Sequence, residues 1–212
     1  MKTAFVCWRP YQVFNSINLR MNMAVNTETC DLFLDDIPSL RKYKENIVNS
    51  GIFNNVYTYS VREIDHSSKL ISLLQTLSDF IFCKNRIDKY LGTKNIKPFD
   101  YDEIVASGWD TFFVEMANAN KHAKIIMVED GTATYRMSDE REYIGGVYLK
   151  ACKILKSIFH CGPLSVDVKC LYVNDLNMVT QKWPYPVCET PKLDVDVVKL
   201  TKLRVLSWWI FL

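Results

Sequence analysis

Ala123-Lys124-Ile125-Ile126-Met127-Val128-Glu129-Asp130-Gly131 joins an apolar, β-branched run to two adjacent carboxylates and a glycine, with Tyr135 close behind. The run has the length and composition of a strand buried on both faces, and the acids and glycine suit the turn that ends it. Working outward, residues 109–121 read as a helix and residues 101–107 as the strand before it, with Gly108 between them. The same alternation reaches back to the start of the chain. Residues 3–8 read as a strand, 11–25 as a helix returning Val13, Ile17, Met21 and Ala24, and 30–35 as a second strand. A helix opened by Pro38 and Ser39 and stopped by Gly51 then leads to a third strand at 55–60. Residues 67–91 carry Leu70, Leu73, Leu74, Leu77, Phe80 and Ile81 on one helical stripe, with Gly92 as the stop. Strands alternating with helices predict an α/β fold with a doubly wound parallel sheet, because parallel strands need crossover connections. Ligands of such sheets collect beyond the carboxyl ends of the strands, which is where Glu129 and Asp130 stand.

Beyond the acidic turn, residues 132–146 are polar and read as a surface loop near the site. Residues 147–159 read as a helix with Lys150, Lys153 and Lys156 along one edge, closed by Gly162 and Pro163. That edge is either a solvated face or a phosphate contact. Residues 169–173 form a further short strand. The stretch 183–191, Trp-Pro-Tyr-Pro-Val-Cys-Glu-Thr-Pro, is too rich in proline to continue a regular element, so a domain edge is expected there. This divides the chain into a domain at 1–182 and a proline-rich linker with an amphipathic C-terminal segment at 183–212. That segment mixes Lys199, Lys202 and Arg204 with Val198, Leu200, Leu203, Leu206, Trp208, Trp209, Ile210 and Phe211. It suits either peripheral contact with an anionic membrane or the covering of an apolar face by a partner domain.

With 212 residues, 49% of them hydrophobic, the chain can bury a substantial core. The 26 basic residues against 24 acidic ones leave a formal net charge of +2, which gives no global case for nucleic-acid binding. The seven cysteines include no Cys-x-x-Cys pair and read as reduced, buried thiols. Cys152, Cys161 and Cys170, with His160, are spaced too widely for a short-pair zinc site, and no metal is expected. Arg9 interrupts the first apolar run too early for a signal peptide, and no apolar stretch reaches the roughly 20 residues of a membrane span, so a cytoplasmic protein is expected. Neither a Gly-x-Gly-x-x-Gly after the first strand nor a P-loop occurs, and no nucleotide cofactor of those classes is expected.

Two neighbouring carboxylates at a strand end raise each other's proton affinity, and one can then serve as base toward a hydroxyl. Gly131 allows a sharp turn and close approach of a substrate, although Glu-Asp-Gly is also an ordinary turn sequence. The Glu129-Asp130-Gly131 turn with Tyr135 beyond it resembles the acid-acid-glycine motif of bacterial lipooligosaccharide sialyltransferases and the related capsular polysialyltransferases. The opening strand running into Arg9-Pro10-Tyr11-Gln12 is similar to the start of those enzymes. The resemblance implies the N-terminal, Rossmann-like half of a GT-B glycosyltransferase. It also implies sialic acid transfer from CMP-sialic acid to a galactose-containing glycan with inversion. It assigns the general base to Asp130, support of that charge to Glu129, and substrate contacts to Gly131, Tyr135, Arg9 and Gln12.

The family's His-Pro motif is missing, since His66, His122 and His160 precede Ser67, Ala123 and Cys161. The second, donor-binding domain is therefore expected to be absent, lost or supplied by a partner chain or oligomer. A competing reading is a non-catalytic carbohydrate-binding or assembly protein of glycan biosynthesis. A hydrolase is disfavoured because no Gly-x-Ser-x-Gly elbow occurs. His122 suits a capping role, and Arg9 suits either an anionic substrate or a surface ion pair.

Overall fold

The first sixty residues produce two strand-helix units and a third strand, in the places their periodicity predicts. In the computed structural model, which describes residues 1–22, 29–60, 74, 77, 78, 80–91, 100–136, 139, 141 and 144–192, β1 is Lys2–Cys7, α1 Pro10–Asn22, β2 Thr29–Asp35, α2 Pro38–Ser50 and β3 Asn55–Tyr59. Helix α3 (Cys83–Tyr90) is followed by β4 (Glu103–Ala106), α4 (Thr111–Ala119) and β5 (Lys124–Val128). A short α5 (Ala133–Arg136) leads to α6 (Gly146–Ile154), which runs on into a π-helical turn, Leu155–Phe159. Strands β6 (Val168–Val173) and β7 (Val187–Glu189) complete the order. Two end signals act as read: Pro38 opens α2, and Gly51 closes it at φ 65° with its N–H on the Val48 carbonyl.

Among the described residues the sheet has seven strands, all parallel, in the order β3-β2-β1-β4-β5-β6-β7. The chain winds outward from β1 to β3, returns to lay β4 beside β1, and winds outward again. The reversal between β1 and β4 is the point where an open sheet leaves a crevice beyond its carboxyl ends. Alternate side chains feed two cores, which is why the strands read as continuous apolar runs. Val6, Phe33, Ala106 and Met127 pack with Phe112, Phe113 and Met116 of α4 and Ile87 of α3 on one face. Phe5, Leu32, Leu34, Val105 and Val128 pack with Val13 and Ile17 of α1 and Leu40 and Ile47 of α2 on the other. Fully burying each of these side chains other than Ala106 contributes roughly 1.5–3 kcal/mol.

Two regions differ from the sequence reading, and a third lies partly outside the described residues. The proline-rich stretch 183–191 does hold a strand, so the sheet passes the edge expected between residues 182 and 183. Its prolines lie outside Val187–Glu189, and Pro186 needs only its carbonyl, which accepts from Leu171 N–H at 2.9 Å. An outermost strand also needs ladder bonds on one side only, which tolerates flanking prolines. The 132–146 stretch is not wholly a polar loop: it contains α5, with Tyr135 buried, and Asp139 is buried against Arg141. The long helix expected at 67–91 is described as α3 and a few residues before it. Residues 67–73 and Gly92 lie outside the described residues, as does the C-terminal stretch from 193.

Candidate functional site

Strand β5 delivers Glu129 and Asp130 to the carboxyl edge of the sheet, and the two acids then part company. Glu129 is buried, and both its oxygens are fully engaged. Oε1 accepts from the Tyr11 hydroxyl and from Asn174 Nδ2 at 2.7 Å. Oε2 accepts from the Tyr135 hydroxyl and from the Asn174 backbone N–H at 2.7 Å. The Glu129 main chain is held as well, its N–H on the Tyr172 carbonyl and its carbonyl accepting from Asn15 Nδ2 at 3.2 Å. This carboxylate thus ties α1, β5, α5 and the end of β6 together. Burial first, and Glu129 next, push the Tyr11 hydroxyl up to about 12 and move Tyr135 upward too, so both phenols stay protonated donors.

Asp130 turns the other way, with 17% of its side chain exposed. Its Oδ1 accepts from Gln12 Nε2 at 2.8 Å, and its Oδ2 lies 3.7 Å from Arg9 Nη1. The backbone N–H of Asp130 donates to Thr134 Oγ1 at 2.9 Å, which closes the turn. Its carboxyl is raised above the usual range by burial, opposed by the Gln12 hydrogen bond and the Arg9 charge. The expected mutual effect of the two acids is not the cause, because Glu129 points into the fold and Asp130 out of it.

The partners of Asp130 come from the way α1 begins. Arg9 stands before the first helical residue, Pro10 supplies a pre-set φ, and Gln12 sits at the third helical position. From there Gln12 Oε1 reaches back to the N–H groups of Trp8 at 2.7 Å and Arg9 at 3.1 Å, one half of a capping box. That orientation leaves the Gln12 amide N–H facing Asp130. The side chain of Arg9 is 62% exposed, so the ion pair itself contributes little stability.

The wall of this crevice is built at the β1–β4 reversal. The Trp8 ring lies against Gly108, where an added Cβ would stand 2.7 Å from Trp8 Cζ2 and 3.9 Å from Asp130 Oδ2. Asp110, just beyond, caps α4 by accepting from Phe113 N–H at 2.6 Å, and takes the Tyr59 hydroxyl at 2.8 Å. Burial raises its carboxyl to about 6 against those two hydrogen bonds. Cys7 is buried beneath, its thiol pushed up to about 12 by burial, with Asp110 and Asp130 adding to the rise, so it is no nucleophile.

Of the residues singled out in the sequence, the structure brings together Glu129, Asp130, Arg9, Gln12 and Tyr135. Gly131 adopts φ 91°, with open space where a Cβ would stand, so conformation and not crowding requires glycine there. Tyr135, expected to face substrate, turns inward because its hydroxyl is drawn to Glu129 and the N–H groups of Asn174 and Asp175. Sequence reading missed Asn174, Trp8, Gly108 and Asp110. Asn174 is the first polar residue after the apolar β6, the same strand-end position that drew attention to Glu129. Asp110 could have been found as an N-cap before the apolar α4.

Chemically, the arrangement offers one solvent-facing carboxylate with a raised proton affinity, an adjacent cation, an indole surface and an open glycine turn. Among the described residues no group of three His, Cys, Asp or Glu could hold a metal ion, and no helix is long and apolar enough to cross a membrane. No protein-family model matches the chain, and no curated protein does.

Proposed function

We propose that this surface is the acceptor side of a sialyltransferase-like glycosyltransferase, with Asp130 as general base. In this reading Asp130 takes the proton of an acceptor sugar hydroxyl as that oxygen bonds to the sialic acid carbon, and CMP departs with the bonding electrons, inverting the centre. Arg9 balances the carboxylate, Gln12 aims it, Trp8 supplies a face for a sugar ring, and Gly131 keeps the approach open. Glu129 and Tyr135 act by holding the turn. The donor-binding half comes from a further domain or a partner chain.

The observation that carries this reading is the division between the two acids: one saturated inside the fold, the other at the crevice with its proton affinity raised by burial. A base that works near neutral pH benefits from that shift. One observation favours a second reading, a non-catalytic carbohydrate-binding or assembly protein: both Asp130 oxygens already have partners in Gln12 and Arg9. The test is to titrate wild type and Asp130→Asn with CMP-sialic acid and a lactose-type acceptor, following binding by NMR and transfer by product analysis. Transfer lost in the variant with acceptor binding retained supports the base. Binding of both donor and acceptor without transfer in either protein favours the second reading, and no acceptor binding overturns both.

A further inference from the structure

The stretch from α6 through its π-helical turn presents a surface unlike the acidic turn. From Gly146 to Val166 the chain holds no Asp or Glu, whereas Lys150, Lys153, Lys156 and His160 are all exposed. Ala151, Cys152 and Leu155 are buried and fix the orientation of the element. With that face committed to the core, Ile154, Ile158 and Phe159 remain 46%, 65% and 45% exposed. A single exposed aliphatic needs no explanation, but three bulky ones within six residues, bordered by lysines, form a patch.

The backbone here is unusual too. The π-helical turn ends at His160 with φ 50°, a left-handed conformation that a residue with a Cβ seldom takes. The turn is clamped by the Cys161 N–H on the Leu155 carbonyl at 3.2 Å and by Leu155 lying against Gly162. His160 and Lys156 line a cavity of about 350 Å³ together with Lys121, Ser165 and Asp167. Two lysines and a histidine there face one acid.

We infer that this face docks on an anionic lipid bilayer. Ile154, Ile158 and Phe159 enter the boundary between headgroups and acyl chains, Lys150, Lys153 and Lys156 meet lipid phosphates, and the cavity at Lys121, Lys156 and His160 receives one headgroup phosphate. Charge complementarity selects an anionic partner, and the apolar side chains among the cations select a bilayer over a soluble anion. The assignment stands apart from the glycosyl-transfer reading.

The full chain is to be co-sedimented with phosphatidylcholine vesicles with and without phosphatidylglycerol. Each lysine near an anionic surface contributes a factor of about five, so Lys150→Ala with Lys153→Ala and Lys156→Ala is expected to weaken binding about a hundredfold. Ile158→Ser, at an exposed position, is expected to weaken it without changing the thermal unfolding midpoint, as is Phe159→Ser. Binding that needs phosphatidylglycerol, weakens with salt and drops in these variants supports the assignment. No binding by wild type, or equal binding to neutral vesicles, overturns it. So does displacement by inorganic phosphate alone, which marks a site for a free anion. Binding that survives in the α6 variants but is lost in Trp208→Ser with Trp209→Ser places the contact in the C-terminal segment and overturns it as well.

Discussion

Gln12 Nε2 lies 2.8 Å from Asp130 Oδ1 while Oε1 of the same amide holds the N–H groups of Trp8 and Arg9, so one buried side chain both starts α1 and aims the crevice carboxylate. Gln12→Leu would strand two backbone donors and remove the neutral partner of Asp130. An unsatisfied buried donor costs about 1–3 kcal/mol; these two are part-buried, so a loss of about 1 kcal/mol is expected in urea unfolding. Gln12→Glu keeps the acceptor for the helix start but sets a second carboxylate against Asp130. It should raise the Asp130 proton affinity further, read by carbon NMR of the side-chain carboxyl. A pKa unmoved in Gln12→Glu would refute the coupling.

Glu129 and Asp130 should respond oppositely to the same amide substitution. Glu129→Gln offers one acceptor oxygen where the carboxylate serves Tyr11, Tyr135 and two Asn174 N–H groups, and it points an amide N–H at some of those donors. A loss of about 2–4 kcal/mol in stability is expected, with Tyr135→Phe costing about 1 kcal/mol. Asp130→Asn keeps an oxygen for Gln12 and sits at the crevice, so its stability should stay within about 0.5 kcal/mol of wild type. Equal losses in the two amide variants would contradict the division of roles, and a stable Asp130→Asn makes any lost transfer a statement about chemistry.

The fold was legible wherever one periodicity ran without interruption. The apolar runs ending at Cys7, Asp35, Ala106 and Val128, and the Pro38 and Gly51 end signals, carry local physics that packing then reinforces. Strand β7 was not legible, because a three-residue segment flanked by Pro186 and, one residue further on, Pro191 becomes a strand only when β6 offers its open edge. The site was half legible for a related reason. A strand-end rule finds Glu129 and Asp130, but which acid faces outward depends on Tyr11 and Asn174, 118 and 45 residues from Glu129 along the chain. The inward turn of Tyr135 follows from Glu129, six residues before it, and from the N–H groups of Asn174 and Asp175, 39 and 40 residues beyond it, which no short window of sequence contains.

Gly108→Ala probes the contact between the turn after β4 and the Trp8 ring. The new methyl would stand 2.7 Å from Trp8 Cζ2 and 2.9 Å from Cη2, closer than carbon atoms pack, so the indole must swing away. Overpacking of this kind costs typically about 1–3 kcal/mol. Near-UV circular dichroism should change in Gly108→Ala, and Trp8→Ala combined with it should recover most of the stability lost beyond that of Trp8→Ala alone. Additive losses in the double variant would show that the ring is not what the methyl meets.

Asp110 makes a pH-dependent contribution whose sign follows from its burial. Its carboxyl is raised to about 6 in the folded chain, above the unfolded value of about 3.9, so folding favours the protonated form. That contribution is fully present below about pH 4 and is lost as pH rises through about 6. Asp110→Asn cannot ionise, and Asn also caps helices well, so the Phe113 N–H keeps an acceptor. Relative to wild type the variant should therefore gain stability between about pH 4 and pH 7, by on the order of 1–2 kcal/mol once partial exposure is allowed for. Asp35 and Asp130 are raised as well, but both remain in the variant, so the difference between the two urea midpoints isolates position 110. Midpoints that run parallel across this interval would mean that Tyr59 and the α4 N-terminus hold Asp110 ionised in spite of its burial, and the carboxyl would then belong with Glu129 as a fixed acceptor of the fold.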